Sequence, residues 1–288
     1  MRRTLPFTKM HGAGNDFVVL DGIANPLPLD LEPIARVVAD RHFGIGADQI
    51  LVLRPARSRE GDAEFRMDIY NQSGEEVEMC GNGIRAFFKF LRDRGYTQAD
   101  EIGVETLGGV VRPRWVGPDR VQVDMGRPVL APTKIPTRLG SGEGPVLDVP
   151  LDLPGGEQLI VSSVSMGNPH AVIEVADVEG APLERLGAAV ETHPAFPNRV
   201  NVELIRVIDR TRIRQRTWER GVGETLACGS GACAVGVTAM LRGVVDAAIS
   251  VELPGGVLEI AWQGEGHAVF MTGPAAEVFT GEIPFPGE

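Results

Sequence analysis

Two short cysteine-containing turns constrain the fold of this chain more than any other feature of its sequence. Residues 79–83 read MCGNG and residues 227–231 read ACGSG, so each cysteine comes directly before a Gly-polar-Gly turn. Residues 84–91 then carry apolar side chains at helical spacing, and residues 232–241 are apolar or small on every face. The sequence therefore predicts two helices that begin just after Cys80 and Cys228, the second of them buried on all sides.

Other landmarks recur between the two halves of the chain and indicate an internal duplication. Cys80 matches Cys228 at a separation of 148 residues, and Asn15 matches Asn168 at a separation of 153. Further matched pairs are Tyr70 with Trp218, Trp115 with Trp262, and Phe43 with Phe196. A drift of a few residues is what short loop deletions produce. The chain is therefore predicted to contain one unit made twice, and a pseudo-twofold axis between the copies would place the two cysteines opposite each other.

Most of each repeated unit is predicted to be β-strand. Strands are marked by alternating apolar residues at 65–70, 120–125 and 211–216, and by dense apolar runs at 17–20 and 202–207. A further helix is predicted over residues 31–40, with Asp30 as its N-cap, and its counterpart over residues 182–192. These elements predict an α/β (α+β) fold of two pseudo-symmetric domains, each a rolled, mostly antiparallel sheet around a central helix.

The domain boundaries follow from a proline-rich stretch and from the C-terminal tail. Residues 126–156 contain six prolines, which marks the crossover between the two copies. The chain beyond Pro274 has no counterpart in the first copy, and it is predicted to return across the domain junction or to add an edge strand. We therefore predict an N-terminal unit of residues 1–126, joined by the tail 272–288, and a C-terminal unit of residues 127–271.

Composition and charge restrict the class of protein. With 288 residues, of which 43% are hydrophobic and 23% charged, the chain has the composition of a soluble protein of two ordinary domains. A net charge of −11 argues against a nucleic acid or an anionic membrane as the partner. No apolar run approaches the roughly 18 residues of a membrane span, and no signal peptide is predicted, so the expected location is the cytoplasm.

The cysteine count points to thiols rather than to disulfides or metal ligands. Three cysteines in a chain of this length are typical of a reducing compartment. Cys228 and Cys233 lie five residues apart on a predicted helix and point in different directions, so a zinc site is not expected. Cys233 is interpreted as a small core residue. Cys80 or Cys228 alone would be interpreted in the same way, but their equivalent positions in the repeat favour a catalytic pair.

Longer motifs resemble those of the diaminopimelate epimerase family, and the resemblance covers essentially the whole chain. The motifs are KMHGAGNDF at 9–17, RHFGIGADQ at 41–49, MCGNG at 79–83, SMGNPH at 165–170, RVN at 199–201, and ERGVGET at 219–225 followed by ACGSG at 227–231. Their order and spacing agree with the family pattern. Phe43 is a small departure, because some relatives carry a cysteine there.

This resemblance implies a fold, an activity and an assembly. The family has a pseudo-symmetric pair of α/β units, each a sheet rolled around a central helix, with the active site between them. Its members interconvert LL- and meso-diaminopimelate without a cofactor, in the pathway to lysine and peptidoglycan, and they are usually homodimers. The resemblance therefore implies a small-molecule substrate, no cofactor, no metal and a homodimer, in which Phe279 falls where the family has an aromatic residue at the dimer contact.

Two thiols suit the inversion of a Cα centre. One base would have to remove a weakly acidic proton from one face, and one acid would deliver a proton to the other face. A free thiol has a pKa of about 8.5, which a helix N-terminus lowers toward neutrality. Cys80 and Cys228 are therefore the predicted catalytic acid and base. By resemblance, His170 and Glu219 tune the pKa values of the two cysteines.

The remaining motif residues are expected to bind the substrate. The free N–H groups at the two helix N-termini, from Gly81, Asn82, Gly229 and Ser230, are suited to an α-carboxylate. By resemblance, five amides bind the zwitterionic ends of the substrate: Asn15, Gln49, Asn71, Asn168 and Asn201. Arg220 is expected to hold the distal carboxylate, and Glu219 to contact an ammonium group. Asn71 also has a simpler interpretation as a turn-capping residue.

Three other functions remain open at this point. A proline or hydroxyproline racemase of the same architecture has a similar cysteine pair, but it has different turns around the thiols and a ring substrate that would not need Arg220. A dithiol redox or binding protein would close the two cysteines into a disulfide. A pyridoxal enzyme would need one of the three lysines, Lys9, Lys89 or Lys134, and no neighbouring residue suggests such a site.

Overall fold

The computed structural model describes residues 3–57, 63–140, 142 and 144–286. It divides into two compact units, one formed by Met1–Val123 with Gly273–Glu288 and the other by Asp124–Thr272. We call them the N-terminal and the C-terminal unit. Among the described residues, no helix combines the length and the apolar character that a membrane crossing requires.

The first part of the chain contains two helices and eight strands within the described residues. They are β1 (Thr4–Gly12), β2 (Asn15–Asp21), α1 (Glu32–Ala39), β3 (Gln49–Pro55), β4 (Phe65–Asn71), α2 (Gly81–Asp93), β5 (Val104–Thr106), β6 (Gly109–Val111), β7 (Arg114–Gly117) and β8 (Arg120–Asp124).

The second part of the chain contains two helices and ten strands within the described residues. Its elements are β9 (Val146–Asp152), β10 (Gln158–Ser165), β11 (Pro169–Glu174), α3 (Leu183–Glu191), β12 (Asn201–Asp209), β13 (Arg212–Glu219), β14 (Gly223–Thr225), α4 (Gly229–Leu241), β15 (Ala248–Leu253), β16 (Gly256–Trp262), β17 (Val269–Pro274) and β18 (Ala276–Pro284).

Each unit is built on a mostly antiparallel sheet. The strand order in the N-terminal unit is β18-β1-β2-β3-β4-β5-β6, so the C-terminal tail supplies an edge strand beside β1. Within the C-terminal unit the order is β17-β16-β15-β13-β12-β11-β10-β9, with β14 paired to β13. Helix α2 packs against four strands of the first sheet, and α4 against five strands of the second. The predicted fold class, a sheet around a central helix made twice, is confirmed.

Strand pairing defines which residues of the two units are equivalent. In the N-terminal unit β2 is parallel to β3, with Val19 opposite Leu51, and β3 is antiparallel to β4. In the C-terminal unit β11 is parallel to β12, with Val172 opposite Glu203, and β12 is antiparallel to β13. Leu51 therefore corresponds to Glu203. The same register matches Phe17 with His170, Gln49 with Asn201, Met67 with Gln215, Ile69 with Thr217, and Asn71 with Glu219.

Both faces of the central strands are buried. In β3, Ile50 and Val52 join the apolar cluster that contains residues of α1. Leu51 faces α2 instead, where its side chain would lie 3.2 Å from a Cβ added to Gly83. In β12, Leu204 joins the cluster that contains α3, and its neighbours face α4. This double burial explains why these strands have dense apolar sequences rather than simple alternation.

The two central helices differ in what they bury. Residues 231–239 of α4 are all buried, as its uniformly small and apolar sequence predicted. In α2 the predicted apolar face is buried, but Arg85 is also fully buried. Its guanidinium donates to the carbonyl oxygens of Gly81 and Pro274, at 3.1 and 3.3 Å. Arg85 thereby connects the start of α2 to the tail that forms β18.

The predicted N-cap of the first helix is wrong. Leu31 is the N-cap of α1 and makes no capping hydrogen bond through its side chain. The carboxylate of Asp30 lies one residue earlier, where it accepts the backbone N–H of Glu32 at 3.1 Å. The equivalent helix α3 begins after Pro182, which also lacks a capping side chain.

Candidate functional site

Cys80 and Cys228 occupy the same position in their units, the N-cap of α2 and of α4. Each is in an extended conformation, and each sulfur accepts the backbone N–H three residues later. The distances from sulfur to nitrogen are 3.3 Å for Gly83 and 3.4 Å for Gly231. A sulfur in this position takes the place of the oxygen of an ordinary N-cap residue. It lies at the positive end of the helix dipole, where a thiolate is favoured.

Glycine at the third helical residue makes room for each sulfur. A Cβ on Gly83 would lie 3.4 Å from the sulfur of Cys80 and 3.2 Å from Leu51. A Cβ on Gly231 would lie 3.2 Å from the Cβ of Cys228 and 2.7 Å from a carboxylate oxygen of Glu203. A side chain at Gly231 would collide with the carboxylate of Glu203, and one at Gly83 would crowd Cys80 and Leu51. Helix geometry leaves the N–H groups of Gly229 and Ser230 without intrahelical partners, and these are the donors expected to meet a carboxylate.

In the N-terminal unit, the amide of Asn15 lies beside Cys80. Its oxygen is 3.9 Å from the sulfur and accepts from the side-chain Nδ2 of Asn82 at 3.2 Å. Its Nδ2 donates to the carboxylate of Asp48 at 2.8 Å. The amide is therefore oriented with its nitrogen toward Asp48 and its oxygen toward Cys80 and Asn82.

Asp48 belongs to a network of charged side chains behind Asn15. Arg41 bridges Asp16 and Asp48, with 2.7 Å contacts to both, and Lys9 also donates to Asp16 and to the carbonyl oxygen of Gly46. Burial alone would raise the pKa of Asp16, but hydrogen bonds from Arg41 and Lys9 outweigh burial and lower that pKa well below its usual range. Asp16 is therefore ionised, and the KMHGAGNDF and RHFGIGADQ motifs are joined through it.

Two other predicted binding residues of this unit differ in what surrounds them. The oxygen of the Gln49 side chain is buried and has no hydrogen-bond partner among the described residues, so it is available to a ligand. The oxygen of the Asn71 side chain accepts from Ser73 and from the backbone of Glu75, at 2.6 to 3.1 Å. This is the turn-capping role that the sequence left open for Asn71.

In the C-terminal unit, Cys228 is buried, and a hydroxyl and two carboxylates lie near its sulfur. The hydroxyl of Ser230 is 3.5 Å from its sulfur. Burial, followed by the negative charges of Glu219 and Glu203, raises the pKa of the Cys228 thiol well above its ordinary value. Glu219 in turn accepts a hydrogen bond from the hydroxyl of Thr225 at 2.6 Å. These contacts favour the protonated thiol at Cys228.

Neither ring nitrogen of His170 bonds to a cysteine among the hydrogen bonds described for it. Its Nδ1 is 2.8 Å from the carboxylate of Glu203 and its Nε2 is 2.9 Å from the side-chain oxygen of Asn168. His170 and Glu203 are both fully buried. Glu203 was not predicted as a site residue because it lies inside an apolar strand. The internal repeat could have identified it, since it aligns this charged residue with the apolar Leu51.

Asn201 and Arg220 are linked to each other. The side-chain oxygen of Asn201 accepts the backbone N–H of Arg220 at 2.8 Å, and its nitrogen donates to the carbonyl oxygen of Pro169 at 3.3 Å. Both ends of this amide are therefore used inside the protein. Arg220 itself is exposed, and one guanidinium nitrogen donates to the carbonyl oxygen of Asn198 at 3.0 Å. Asn201 supports the backbone at Arg220, and the side chain of Arg220 is exposed.

The surroundings of the cysteines also bear on two other roles, as members of a disulfide and as metal ligands. All three cysteines are thiols rather than members of a disulfide. Within the described ranges, no group of three or more His, Cys, Asp or Glu side chains is arranged to hold a metal ion. Cys233 is fully buried inside α4, in agreement with its interpretation as a core residue.

Comparison with known proteins identifies relatives of the whole chain. The family model for diaminopimelate epimerase matches residues 7–131 and 162–278. The diaminopimelate epimerase of Aromatoleum aromaticum is 50% identical over 280 residues, covering 97% of this chain and 99% of that protein. That of Azoarcus sp. strain BH72 is 50% identical over 281 residues, with the same coverage of 97% and 99%.

Solved structures with much lower identity share the fold. A probable proline racemase from Agrobacterium radiobacter K84 superposes with a TM-score of 0.71 at 18% identity, over 98% of this chain and 94% of that one. A phenazine biosynthesis protein of the PhzF family from Bacillus anthracis gives a TM-score of 0.69 at 16% identity, over 98% and 99%. At such low identity the likeness concerns the fold alone.

Proposed function

The chain belongs to the diaminopimelate epimerase family, and we propose that it is the isomerase that interconverts LL-2,6-diaminopimelate and meso-diaminopimelate. This places it in the synthesis of lysine and of peptidoglycan precursors. The observation that carries the proposal is the recurrence of one arrangement in both units: a cysteine at the N-cap of a central helix, with its sulfur accepting the N–H of a glycine at 3.3 or 3.4 Å.

The proposed reaction uses Cys80 and Cys228 on opposite faces of one Cα carbon. One sulfur, as thiolate, removes the α-proton, and the electron pair of the broken C–H bond is delocalised into the α-carboxylate. The other sulfur, as thiol, delivers its proton to the opposite face. The configuration is inverted, and the two sulfurs have exchanged protonation states, so the reverse reaction uses the same groups. No redox step is involved.

The surroundings of Cys228 support its assignment as the protonated member of the pair in the resting enzyme. The sulfur is buried and the carboxylates of Glu219 and Glu203 lie near enough to raise its pKa. A thiol that keeps its proton at neutral pH is suited to the member of the pair that delivers a proton to the substrate. Because two interacting thiols titrate together, the pair as a whole should be followed in experiments.

Substrate binding is proposed to use the remaining motif residues. The N–H groups at the starts of α2 and α4 are suited to an α-carboxylate whose charge increases in the transition state. Arg220 is proposed to hold the distal carboxylate, because its guanidinium is exposed and, among the described side-chain contacts, donates only to the carbonyl oxygen of Asn198. A second charged end is what distinguishes diaminopimelate from proline.

The assembly and location are also proposals. We propose a cytoplasmic homodimer in which Phe279 takes part in the contact between protomers. Phe279 is 48% exposed on the edge strand β18, where its ring packs edge-on against Phe7 at 5.9 Å between centroids. Light scattering of the purified protein and of Phe279→Ala tests this point.

The experiment that tests the function is exchange of the α-hydrogen in D2O, followed by NMR. The protein is incubated separately with LL-diaminopimelate, meso-diaminopimelate, L-proline and trans-4-hydroxy-L-proline. We expect deuterium to enter Cα of both diaminopimelate isomers, with their interconversion, and not to enter the proline compounds. Exchange with proline or hydroxyproline alone would refute the proposal and favour the racemase alternative. No exchange with any of the four would leave a dithiol protein as the better interpretation.

A further inference from the structure

The side chains beneath the N-terminus of α4 are polar, although the equivalent side chains beneath α2 are apolar. In the C-terminal unit the four positions hold His170, Glu203, Gln215 and Thr217, and in the N-terminal unit they hold Phe17, Leu51, Met67 and Ile69. All eight residues are at most 1% exposed. An apolar set therefore suffices to pack a strand layer under such a helix, and the polar set needs a separate explanation.

The polar set is linked through His170 to Asn168, one of the residues proposed to bind the substrate. The side-chain oxygen of Asn168 lies 2.9 Å from Nε2 of His170. An amide oxygen can only accept a hydrogen bond, so this contact requires a proton on Nε2 of His170. Within the described part of the chain, Nδ2 of Asn168 has no protein partner, and its two hydrogens are available to a ligand.

Asn15 is the repeat counterpart of Asn168, and its amide is held the other way round. Its Nδ2 donates inward to Asp48 at 2.8 Å, and its oxygen is directed to Asn82 and toward the sulfur of Cys80. In Asn168 the oxygen is directed inward and the nitrogen is left for the substrate. The same residue type thus presents an acceptor in one unit and a donor in the other.

We propose that Glu203 is a positioning residue that, through His170, fixes the Asn168 amide with its N–H donors toward a carboxylate of the substrate. This inference rests on the proposed function. A neutral histidine carries only one ring proton, so the nitrogen that holds this proton decides the orientation of the Asn168 amide. If that proton were on Nδ1, the bare Nε2 would attract Nδ2 of Asn168, and the amide would turn its oxygen toward the substrate.

Glu203 prevents this reversal. Its carboxyl oxygen is 2.8 Å from Nδ1 of His170. The negative carboxylate stabilises the doubly protonated ring, in which Nδ1–H donates to Glu203 and Nε2–H donates to Asn168. The charges of this pair cancel, which suits its complete burial. The N-terminal unit needs no such pair because Asp48 orients Asn15 directly.

The N-terminal unit also supplies the substitutions for the test. Glu203→Leu and His170→Phe install the side chains that already pack at the equivalent positions, Leu51 and Phe17. Each should raise the KM for LL-diaminopimelate about 10- to 100-fold, the usual loss for a hydrogen bond to a charged group, and by a larger factor than it lowers kcat. Glu203→Gln should recover a KM within about fivefold of wild type, because a glutamine N–H can still donate to Nδ1.

Thr238→Val serves as the matched control for a buried polar residue in the same unit. Thr238 is 1% exposed and bonds only to backbone oxygens of its own helix, at 3.0 and 3.1 Å, among the contacts described for it. Its KM should equal that of wild type. A KM within twofold of wild type for Glu203→Leu would overturn the proposal. So would a fall in kcat of more than tenfold at unchanged KM, since that pattern would place the effect at Cys228 instead.

A measurement on the unmodified enzyme keeps the proposal testable even if the variants do not fold. Histidine labelled with 15N in its ring is incorporated, and the His170 signals are assigned by their loss in His170→Phe or, if that variant is insoluble, by elimination with variants of the other four histidines. At pH 7 we expect Nε2 of His170 to be protonated. A bare Nε2 would overturn the inference even if the enzyme is an active epimerase. A wild-type enzyme without epimerase activity would instead refute the proposed function, so the two failures are distinguishable.

Discussion

The backbone N–H of Gly231 donates to the sulfur of Cys228 at 3.4 Å, and the same bond, at 3.3 Å, joins Gly83 to Cys80. A hydrogen bond from a helix N-terminus stabilises a negative sulfur. Around this shared bond the two units differ. Cys228 is buried with two carboxylates near it, whereas Cys80 lies beside the neutral amides of Asn15 and Asn82. The duplication thus provides two similar thiols in unequal surroundings.

Each of the two cysteines should be indispensable for turnover. Cys80→Ala and Cys228→Ala remove the proton acceptor or donor on one face, and we expect each to lower kcat for epimerisation by at least about 10²- to 10⁴-fold. Circular dichroism and thermal unfolding should show a retained fold, because alanine is compatible with the helix start. A coupled assay of meso-diaminopimelate formation measures the loss.

Cys233→Ala is the matched control for the cysteine variants. Cys233 is fully buried in α4, one turn beyond the site. Removing its sulfur should lower the free energy of unfolding by about 1 kcal/mol, through the small cavity that is left, and leave kcat within about twofold. A Cys233→Ala variant as inactive as Cys228→Ala would contradict the assignment of the catalytic pair.

Gly231→Ala should damage activity as well as stability. Its Cβ would lie 2.7 Å from a carboxylate oxygen of Glu203 and 3.2 Å from the Cβ of Cys228, so the helix start must move. Gly236→Ala is the control in the same helix, because its Cβ would lie 2.8 Å from Ile260 and its nearest atoms belong to Ile260 and Ile249, neither of them a predicted site residue. We expect each clash to cost about 1–3 kcal/mol, partly offset by the higher helix propensity of alanine. Only Gly231→Ala should also lower kcat/KM more than tenfold.

The raised pKa of Cys228 makes stability depend on pH in the alkaline range. The unfolded thiol loses its proton near pH 8.5, but the folded thiol keeps its proton to higher pH because of burial and the charges of Glu219 and Glu203. Above about pH 8.5 the folded state therefore binds more protons than the unfolded state, and the free energy of unfolding falls by up to about 1.4 kcal/mol per pH unit. Urea unfolding of wild type and Cys228→Ser between pH 7 and 10 measures this. Above pH 8.5 the free energy of unfolding should fall more steeply with pH in wild type than in Cys228→Ser, because only wild type has this thiol. An equal pH dependence in both proteins would show that the pKa of Cys228 is not raised.

Arg220 should determine affinity for the second charged end of the substrate. Arg220→Lys keeps the charge but loses paired hydrogen bonds, so KM should rise about tenfold, and Arg220→Ala should raise it about 100-fold. Arg185→Ala removes an exposed arginine that pairs with Glu157 at 2.5 Å in the same unit, and its KM should be unchanged. An unaltered KM in Arg220→Ala would place the distal carboxylate elsewhere.

Much of this structure was predictable because the local pattern of turn residues and apolar side chains agrees with the internal repeat. A cysteine before Gly-polar-Gly, followed by apolar residues at helical spacing, identified the start of both central helices. Glu203 and Arg85 were not predictable in this way. Glu203 occupies the α4-facing position of a strand whose other face packs against α3, so its neighbours made the strand look uniformly apolar. Arg85 is buried because its guanidinium reaches the carbonyl oxygen of Pro274, a contact that depends on where the distant tail lies.

The central claim is that two sulfurs act on opposite faces of one carbon, and early product formation in D2O tests it most directly. LL-diaminopimelate is incubated with the enzyme in D2O, and both isomers are recovered after a few per cent of the reaction. We predict that meso-diaminopimelate carries deuterium at the inverted carbon while the recovered LL isomer retains its α-hydrogen, because donor and acceptor are different thiols. Early meso product that retains the original α-hydrogen would contradict the account, since a single base would then have carried the proton from one face to the other.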